Sequence, residues 1–258
     1  MTVYRNTNEG ITPSGTTVSV GNSGGVSGNA WDATSIGVGA TDISDNTHAH
    51  SGSLSNQIVS TATAATSYNQ WDVTIGSLVQ HWFELYLYAT ANPPASHRLY
   101  SVLQTSVNCF GVRLGTNGII TCLDANSVAI PLMVTTNPIP LNKWFRIEGF
   151  MIGDALVGQV ELKLFANADD VTPLETDTSA ANVNTTGASN RYRFGLGSNV
   201  ANIGPYWQDD VAVSTTGYLG PYLPSLPISA EDIIPVNRRR ASIRRRRYIK
   251  HLIELGRL

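Results

Sequence analysis

Along most of the chain, apolar and polar residues alternate in short runs. Roughly every 8 to 20 residues a Gly, Pro or Asn interrupts them, which is the rhythm of strands joined by turns. The clearest run, QHWFELYLYA at residues 80–89, puts Phe83, Leu85 and Leu87 on one face and Trp82, Glu84, Tyr86 and Tyr88 on the other. CFGVRL sets Phe110, Val112 and Leu114 against Arg113, and WFRIEGFMI sets Phe145 and Ile147 against Trp144, Arg146 and Glu148. GQVELKLFA opposes Val160, Leu162 and Leu164 to Glu161 and Lys163, and RYRFGLG opposes Tyr192, Phe194 and Leu196 to Arg191 and Arg193. An apolar face and a polar face on each strand predict an all-β fold of antiparallel sheets packed into a sandwich.

The alternation stops near residue 222. Pro221, Pro224, Pro227 and Pro235 rule out continued sheet pairing, so the pattern predicts a sandwich over 1–222, a Pro-rich linker over 223–237 and a tail over 238–258. Ser229 with Asp232 has the spacing of a capping box and predicts one helical turn inside the linker. The tail reads as a helix from about Ala241 to Leu255, stopped by Gly256, with Tyr248, Ile249, Leu252, Ile253 and Leu255 in one arc of roughly 160°. Charged residues are sparse at 14% and Gly is frequent at 23, which fits many strands and turns in one large domain. Cys109 and Cys122 fall in one predicted hairpin. A two-residue turn at Asn117-Gly118 places Cys122 opposite Arg113, too far from Cys109 for a disulfide, so both are expected as free thiols. The first residues lack the apolar run of a signal peptide, and no stretch reaches the ~18 apolar residues of a membrane span. Synthesis in a cytoplasm is the expectation.

Charge divides the chain. Residues 238–258 hold nine of the 17 Lys and Arg but one of the 19 acids, a formal +8, whereas the preceding residues hold the other eight bases and 18 acids, −10. Two runs, Arg238, Arg239, Arg240 and Arg244, Arg245, Arg246, Arg247, supply seven of those nine. Four consecutive arginines on a helix point through about 300° and so do not share one face. They also sit near its positive end, where cations are disfavoured. Helix stability does not explain them; an anionic partner does. Acidic protein, nucleic acid and a membrane surface all fit, and the acidic body argues against nucleic acid.

Residues 142–222, through NKWFRIEGFMIG, VELKLFANADD, RYRFGLGSN and YWQDDVAVSTTGYLGPY, resemble the concanavalin A-like, laminin-G-like jelly roll. The likeness is greatest to the versions carried by virion proteins of tailed bacteriophages of actinobacteria. EGITPSGTTVSVGNSGGVSGNAWD and HAHSGSLSNQ resemble that group's opening strands. The resemblance implies a virion structural protein, a minor tail protein at the tail tip or a capsid decoration protein. It would display a glycan- or protein-binding jelly roll in several copies and be held to other virion proteins by the tail. A free carbohydrate-binding lectin is the alternative and a glycosidase the last. Hydrolases similar to this fold carry Glu-x-Asp-x-x-Glu or Glu-x-Asp-x-Glu on a strand. That motif is absent, and Glu84, Glu148 and Glu161 lie on separate strands, so the expectation is of a protein without enzymatic activity.

The candidate ligand-binding residues are Trp82, Glu84, Tyr86, Tyr88, Arg113, Arg146, Glu148, Arg191 and Arg193, provided their strands share a sheet. Aromatic rings offer stacking surfaces for sugars, and Arg and Glu offer directional hydrogen bonds. The competing reading is of cross-strand pairs or a subunit interface. His48 and His50 are spaced for one side of a strand and are weak metal candidates. Asp209 and Asp210 begin the last strand, where the resemblance implies a structural calcium; turn capping or salt bridging is the competing role. No other cofactor is expected.

Overall fold

A computed structural model describes residues 3–61, 65–77 and 79–222. The linker's helical turn and the basic tail helix lie outside the described residues. The strands are β1 (Val3–Asn6), β2 (Ala33–Ile36), β3 (Ala40–Asp45), β4 (Ser55–Ser60) and β5 (Ala65–Trp71). They continue with β6 (Gln80–Ala89), β7 (His97–Gln104), β8 (Val107–Leu114), β9 (Ile120–Leu123) and β10 (Ala129–Val134). The last five are β11 (Trp144–Ile152), β12 (Gln159–Phe165), β13 (Glu175–Thr178), β14 (Arg191–Val200) and β15 (Ile203–Ser214).

These strands form two antiparallel sheets. The first runs β13-β12-β11-β6-β15-β4-β3, with β1 added along the second half of β15; the other runs β10-β9-β8-β7-β14-β5-β2. Consecutive strands are repeatedly split between the two sheets, as in a jelly-roll-like β-sandwich. The inward positions are those the alternation assigns. Phe83, Leu85, Phe145, Ile147, Val160, Leu162 and Leu164 from the first sheet meet Phe110, Val112, Tyr192, Phe194 and Leu196 from the second in one buried cluster. Gly149 is required in β11 by close approach, since a Cβ there would run into the Glu161 carbonyl oxygen and the Phe83 ring.

The interior also holds a polar patch. Asp42, Asn56 and Gln208 of the first sheet and Ser67 and Asn69 of the second are all buried, and Asn69 Nδ2 donates to Asp42 Oδ2 at 3.0 Å. Burial pushes the Asp42 carboxyl up to about 7 against the pull of these neighbours.

The hairpin of β8 and β9 departs from expectation by one residue. Its loop closes through Gly118 N–H to Gly115 O at 3.0 Å and Gly115 N–H to Ile119 O at 2.8 Å, with Gly118 at φ 80°. The extra residue shifts the register, so Cys122 stands opposite Val112 and Thr121 opposite Arg113. A one-residue slip reverses the side-chain face, and Cys122 is therefore buried in the core. Both cysteines are free. Among the described residues no helix is long and apolar enough to cross a membrane.

Candidate ligand-binding face

The nine candidate residues do not share a sheet. Trp82, Glu84, Tyr86 and Tyr88 on β6 and Arg146 and Glu148 on β11 point outward from the first sheet, whereas Arg113 on β8 and Arg191 and Arg193 on β14 point outward from the second. Alternation fixes which side of its own strand a residue occupies and carries no information about which sheet that strand joins.

The outward face of the first sheet is largely covered by the chain itself. Tyr86 is 0% exposed, Glu84 and Arg146 1% and Glu148 3%; Trp82 and Tyr88 are half-buried. Three segments do the covering. From residues 46–54, His48 lies 4.2 Å from both the Tyr88 and Trp207 rings, and His50 lies 4.3 Å from the Tyr86 ring. From residues 166–172, the carbonyls of Ala168 and Asp170 accept from the Arg146 guanidinium, which also stacks 3.9 Å over Phe165. From residues 215–222, Tyr218 meets Trp82 edge-on and donates to Glu161, while the Tyr222 N–H donates to the Tyr86 hydroxyl.

Beneath this cover the register sets Glu84 directly opposite Glu148. Each acid has its own arginine. Arg5 Nη2 donates to Glu84 Oε1 at 3.0 Å, and Arg146 Nε lies 2.8 Å from Glu148 Oε1 in an ion pair that is not aligned as a hydrogen bond. Burial outweighs these partners and pushes Glu84 up to about 8, with Glu148 adding to the rise; burial also raises Glu148. Arg5 and Arg146 on this face therefore each have an acid in contact.

The metal candidates are occupied by protein. His48 Nδ1 is 3.0 Å from Thr47 Oγ1, and His50 contacts Asp210 through Nδ1 at 2.6 Å and Asp169 through Nε2 at 3.1 Å. Asp209 accepts from the His50 and Ser51 backbone N–H groups, and Asp210 accepts from the Ser51 hydroxyl at 2.8 Å. These carboxylates latch residues 46–54 onto β15, so the set does not fit a calcium ion, which takes six to eight oxygen ligands. Among the described residues no three His, Cys, Asp or Glu side chains are grouped to hold a metal.

The outward face of the second sheet is different. One row across it reads Gln70, Arg193, Ser101, Gly111 and Leu123 on successive strands, and a neighbouring row contains Arg98, Arg113 and Thr121. Ser101, Gly111 and Thr121 form a buried floor of small side chains. Arg98, Arg113, Arg191, Arg193 and Tyr68 around it are half-buried. Arg193 stacks 4.2 Å over Tyr68 and donates from Nε to Gln70 Oε1 at 2.6 Å. Arg191 pairs with Asp72 at 3.4 Å. Arg98 donates to Asn108 Oδ1 at 3.1 Å and to the Ser127 hydroxyl. Burial, then the neighbouring Arg113, holds the Arg98 guanidinium below its ordinary value, and burial does the same to Arg193. Four guanidinium groups beside an aromatic ring, above a floor of small side chains, can bind a polar ligand through forked hydrogen bonds.

Arg98, Tyr68, Gln70 and Ser101 escape the sequence reading. In HRLYSVLQ two register shifts, between Arg98 and Tyr100 and between Val102 and Leu103, break the alternation that would have marked Arg98 as outward-facing. The remaining signal was the uninterrupted pairing of Tyr68 and Gln70 as alternate residues in TSYNQW.

No protein-family model and no curated protein matches this sequence. Solved structures do share its fold. The endo-β-1,4-glucuronan lyase of the fungus Trichoderma reesei superposes with a TM-score of 0.57 at 12% identity, over 73% of this chain and 92% of that one. The cellulose-induced protein Cip1 gives 0.50 at 13% identity, over 69% and 87%. At such identities the likeness extends to the fold alone.

The expectation of a protein without enzymatic activity is overturned by these findings. It rested on a missing hydrolase motif, yet the fold is shared with a lyase, so that motif is no test of catalysis in this architecture. Its second support also fails, because the separate strands that carry Glu84 and Glu148 are neighbours and place the two acids opposite each other.

Proposed function

We propose that the protein is a carbohydrate-recognition jelly roll of the concanavalin A-like kind, with its glycan site on the outward face of the second sheet. The basic C-terminal stretch fastens it into a larger particle. The observation that carries this reading is the contrast between the two outward faces. Tyr86, Glu84, Arg146 and Glu148 are sealed beneath three segments of the chain, while Tyr68, Arg98, Arg113 and Arg193 stay half-open around small residues. Carbohydrate as ligand class draws support from the fold neighbour named for a polysaccharide, glucuronan.

The particle is proposed as a virion from the sequence resemblance, with a tail-tip protein first and a capsid decoration protein second. A free lectin has no evident use for a +8 tail on a −10 body. Screening immobilised glycans with the full chain and with Tyr68→Ala tests the binding reading. A saccharide retained by the first and lost by the second supports it; no saccharide bound by either removes it.

A second reading, polysaccharide cleavage, is favoured by the opposition of Glu84 and Glu148. Substrate would reach that pair only if residues 215–222 left the first sheet. Incubation with polysaccharides should then release new chain ends in a reaction lost in Glu84→Gln. Chain-end release unchanged by that substitution would reject this pair as the catalytic site.

A further inference from the structure

We propose that the ligand of the second sheet's outward face is an anionic glycan, its charge borne by carboxylate or phosphate groups, and that Arg98 and Arg113 bind those oxyanions. This inference rests on the carbohydrate reading above and adds the charge of the ligand and the residues that recognise it.

Positive charge is concentrated on this face. Residues before 238 carry eight Lys and Arg in a formally −10 body, and four of the eight, Arg98, Arg113, Arg191 and Arg193, stand on this one face. All four are arginine. Guanidinium forks match the two oxygens of a carboxylate or phosphate, whereas a general positive field is served as well by lysine.

Arg98 and Arg113 are partnered unlike Arg5, Arg146 and Arg191, each of which contacts an acid. On the first sheet Arg5 and Arg146 each have a glutamate in contact. On the second, Arg98 is held by neutral acceptors, Asn108 and Ser127, and faces Arg113 directly across the β7–β8 ladder. Arg113 forms no hydrogen bond or ion pair among the described residues. Like charges placed opposite each other destabilise a sheet. A purely structural role would favour an opposite-charge pair, which the same fold builds on its other face. An oxyanion between the two guanidinium groups removes the repulsion and supplies the missing partner.

The shape of the face fits such a ligand. Arg98 Nε comes within 3.5 Å of where a Cβ on Gly111 would lie, so the arginine packs flat over that glycine. With Ser101 beside it and the Tyr68 ring across β14, the face combines a guanidinium laid over small buried residues, an aromatic edge and a charged rim. A pyranose with one anionic substituent fits that combination better than a convex acidic protein surface does.

The test is calorimetric titration of the full chain with tetragalacturonate, with a glycerol-phosphate oligomer and with neutral maltotetraose. It is repeated for Arg113→Gln and for the double variant Arg98→Gln/Arg113→Gln. The basic tail also attracts anions, but it is identical in all three proteins, so the difference between them is the readout. Arg113 has no hydrogen bond or ion pair to lose among the described residues, so its single variant keeps the test valid if the double variant folds poorly. The expected result is that one anionic oligomer binds at least tenfold tighter than maltotetraose, that Arg113→Gln removes most of that preference, and that salt dependence weakens with it. Which oligomer is preferred distinguishes carboxylate from phosphate. A preference that survives both substitutions overturns the inference. Neutral sugar bound as tightly as anionic sugar overturns it too, but leaves the carbohydrate reading standing. No saccharide bound at all defeats both.

Discussion

Arg98 and Arg113 face each other across adjacent antiparallel strands, and among the described residues no carboxylate is in contact with either. A folded protein that keeps such a pair gives up stability. Arg113→Gln should therefore raise stability by about 0.2 to 1 kcal/mol, read as a shift in denaturant midpoint, while weakening ligand binding. Loss of both stability and binding would mean that Arg113 is a structural residue.

Interior acids set an unusual pH dependence. Asp42 is fully buried and its pKa is raised from 3.8 to about 7, so the folded state holds the proton more tightly than the unfolded chain. Its sign follows: stability is greatest below the unfolded value, falls by up to about 1.4 kcal/mol per pH unit as pH rises toward 7, and then levels. Glu84, raised to about 8, acts in the same direction. Asp42→Asn should match the wild type near pH 4, exceed it at pH 8 and flatten the slope between them. Denaturation midpoints across that range would decide it.

Gly149→Ala tests the packing of the first sheet. The added methyl meets the Glu161 carbonyl and the Phe83 ring, so overpacking should cost about 1 to 3 kcal/mol in a thermal melt. A neutral result would show that the two strands relax apart at that point.

Removing residues 238–258 should leave the sandwich folded, since no buried apolar core residue among the described residues lies beyond Val213. The truncated chain should melt within a few degrees of the full one and fail to enter particles. Replacing Arg244, Arg245, Arg246 and Arg247 with Lys keeps charge and removes the guanidinium fork. It should impair incorporation if the contacts are bidentate.

The sequence carried much of this fold and less of its site. β6 and β11 occupy the segments that alternation marks, residues 80–89 and 144–152, because each has an unbroken period of two. β7 does not, since its two register shifts insert residues that scramble the pattern, and Arg98 was missed with it. The β8–β9 register was legible only to within one residue, because a two-residue turn and a bulged loop use the same Asn-Gly signal. Burial of Tyr86 and Arg146 was not legible at all. Both lie at outward positions; Tyr86 is covered by His50 and Tyr222, more than 30 and 130 residues away along the chain, and Arg146 by the carbonyls of Ala168 and Asp170.

On the proposed function, ligand binds the open face of the second sheet and not the covered face of the first. Side-by-side affinity measurements on Tyr68→Ala, Arg193→Gln and Trp82→Ala, with a glycan that the wild type retains, test it most directly. Loss of tenfold or more in the first two, about 1.4 kcal/mol each, with Trp82→Ala unchanged is the predicted result; binding lost in Trp82→Ala and kept in the other two would contradict it.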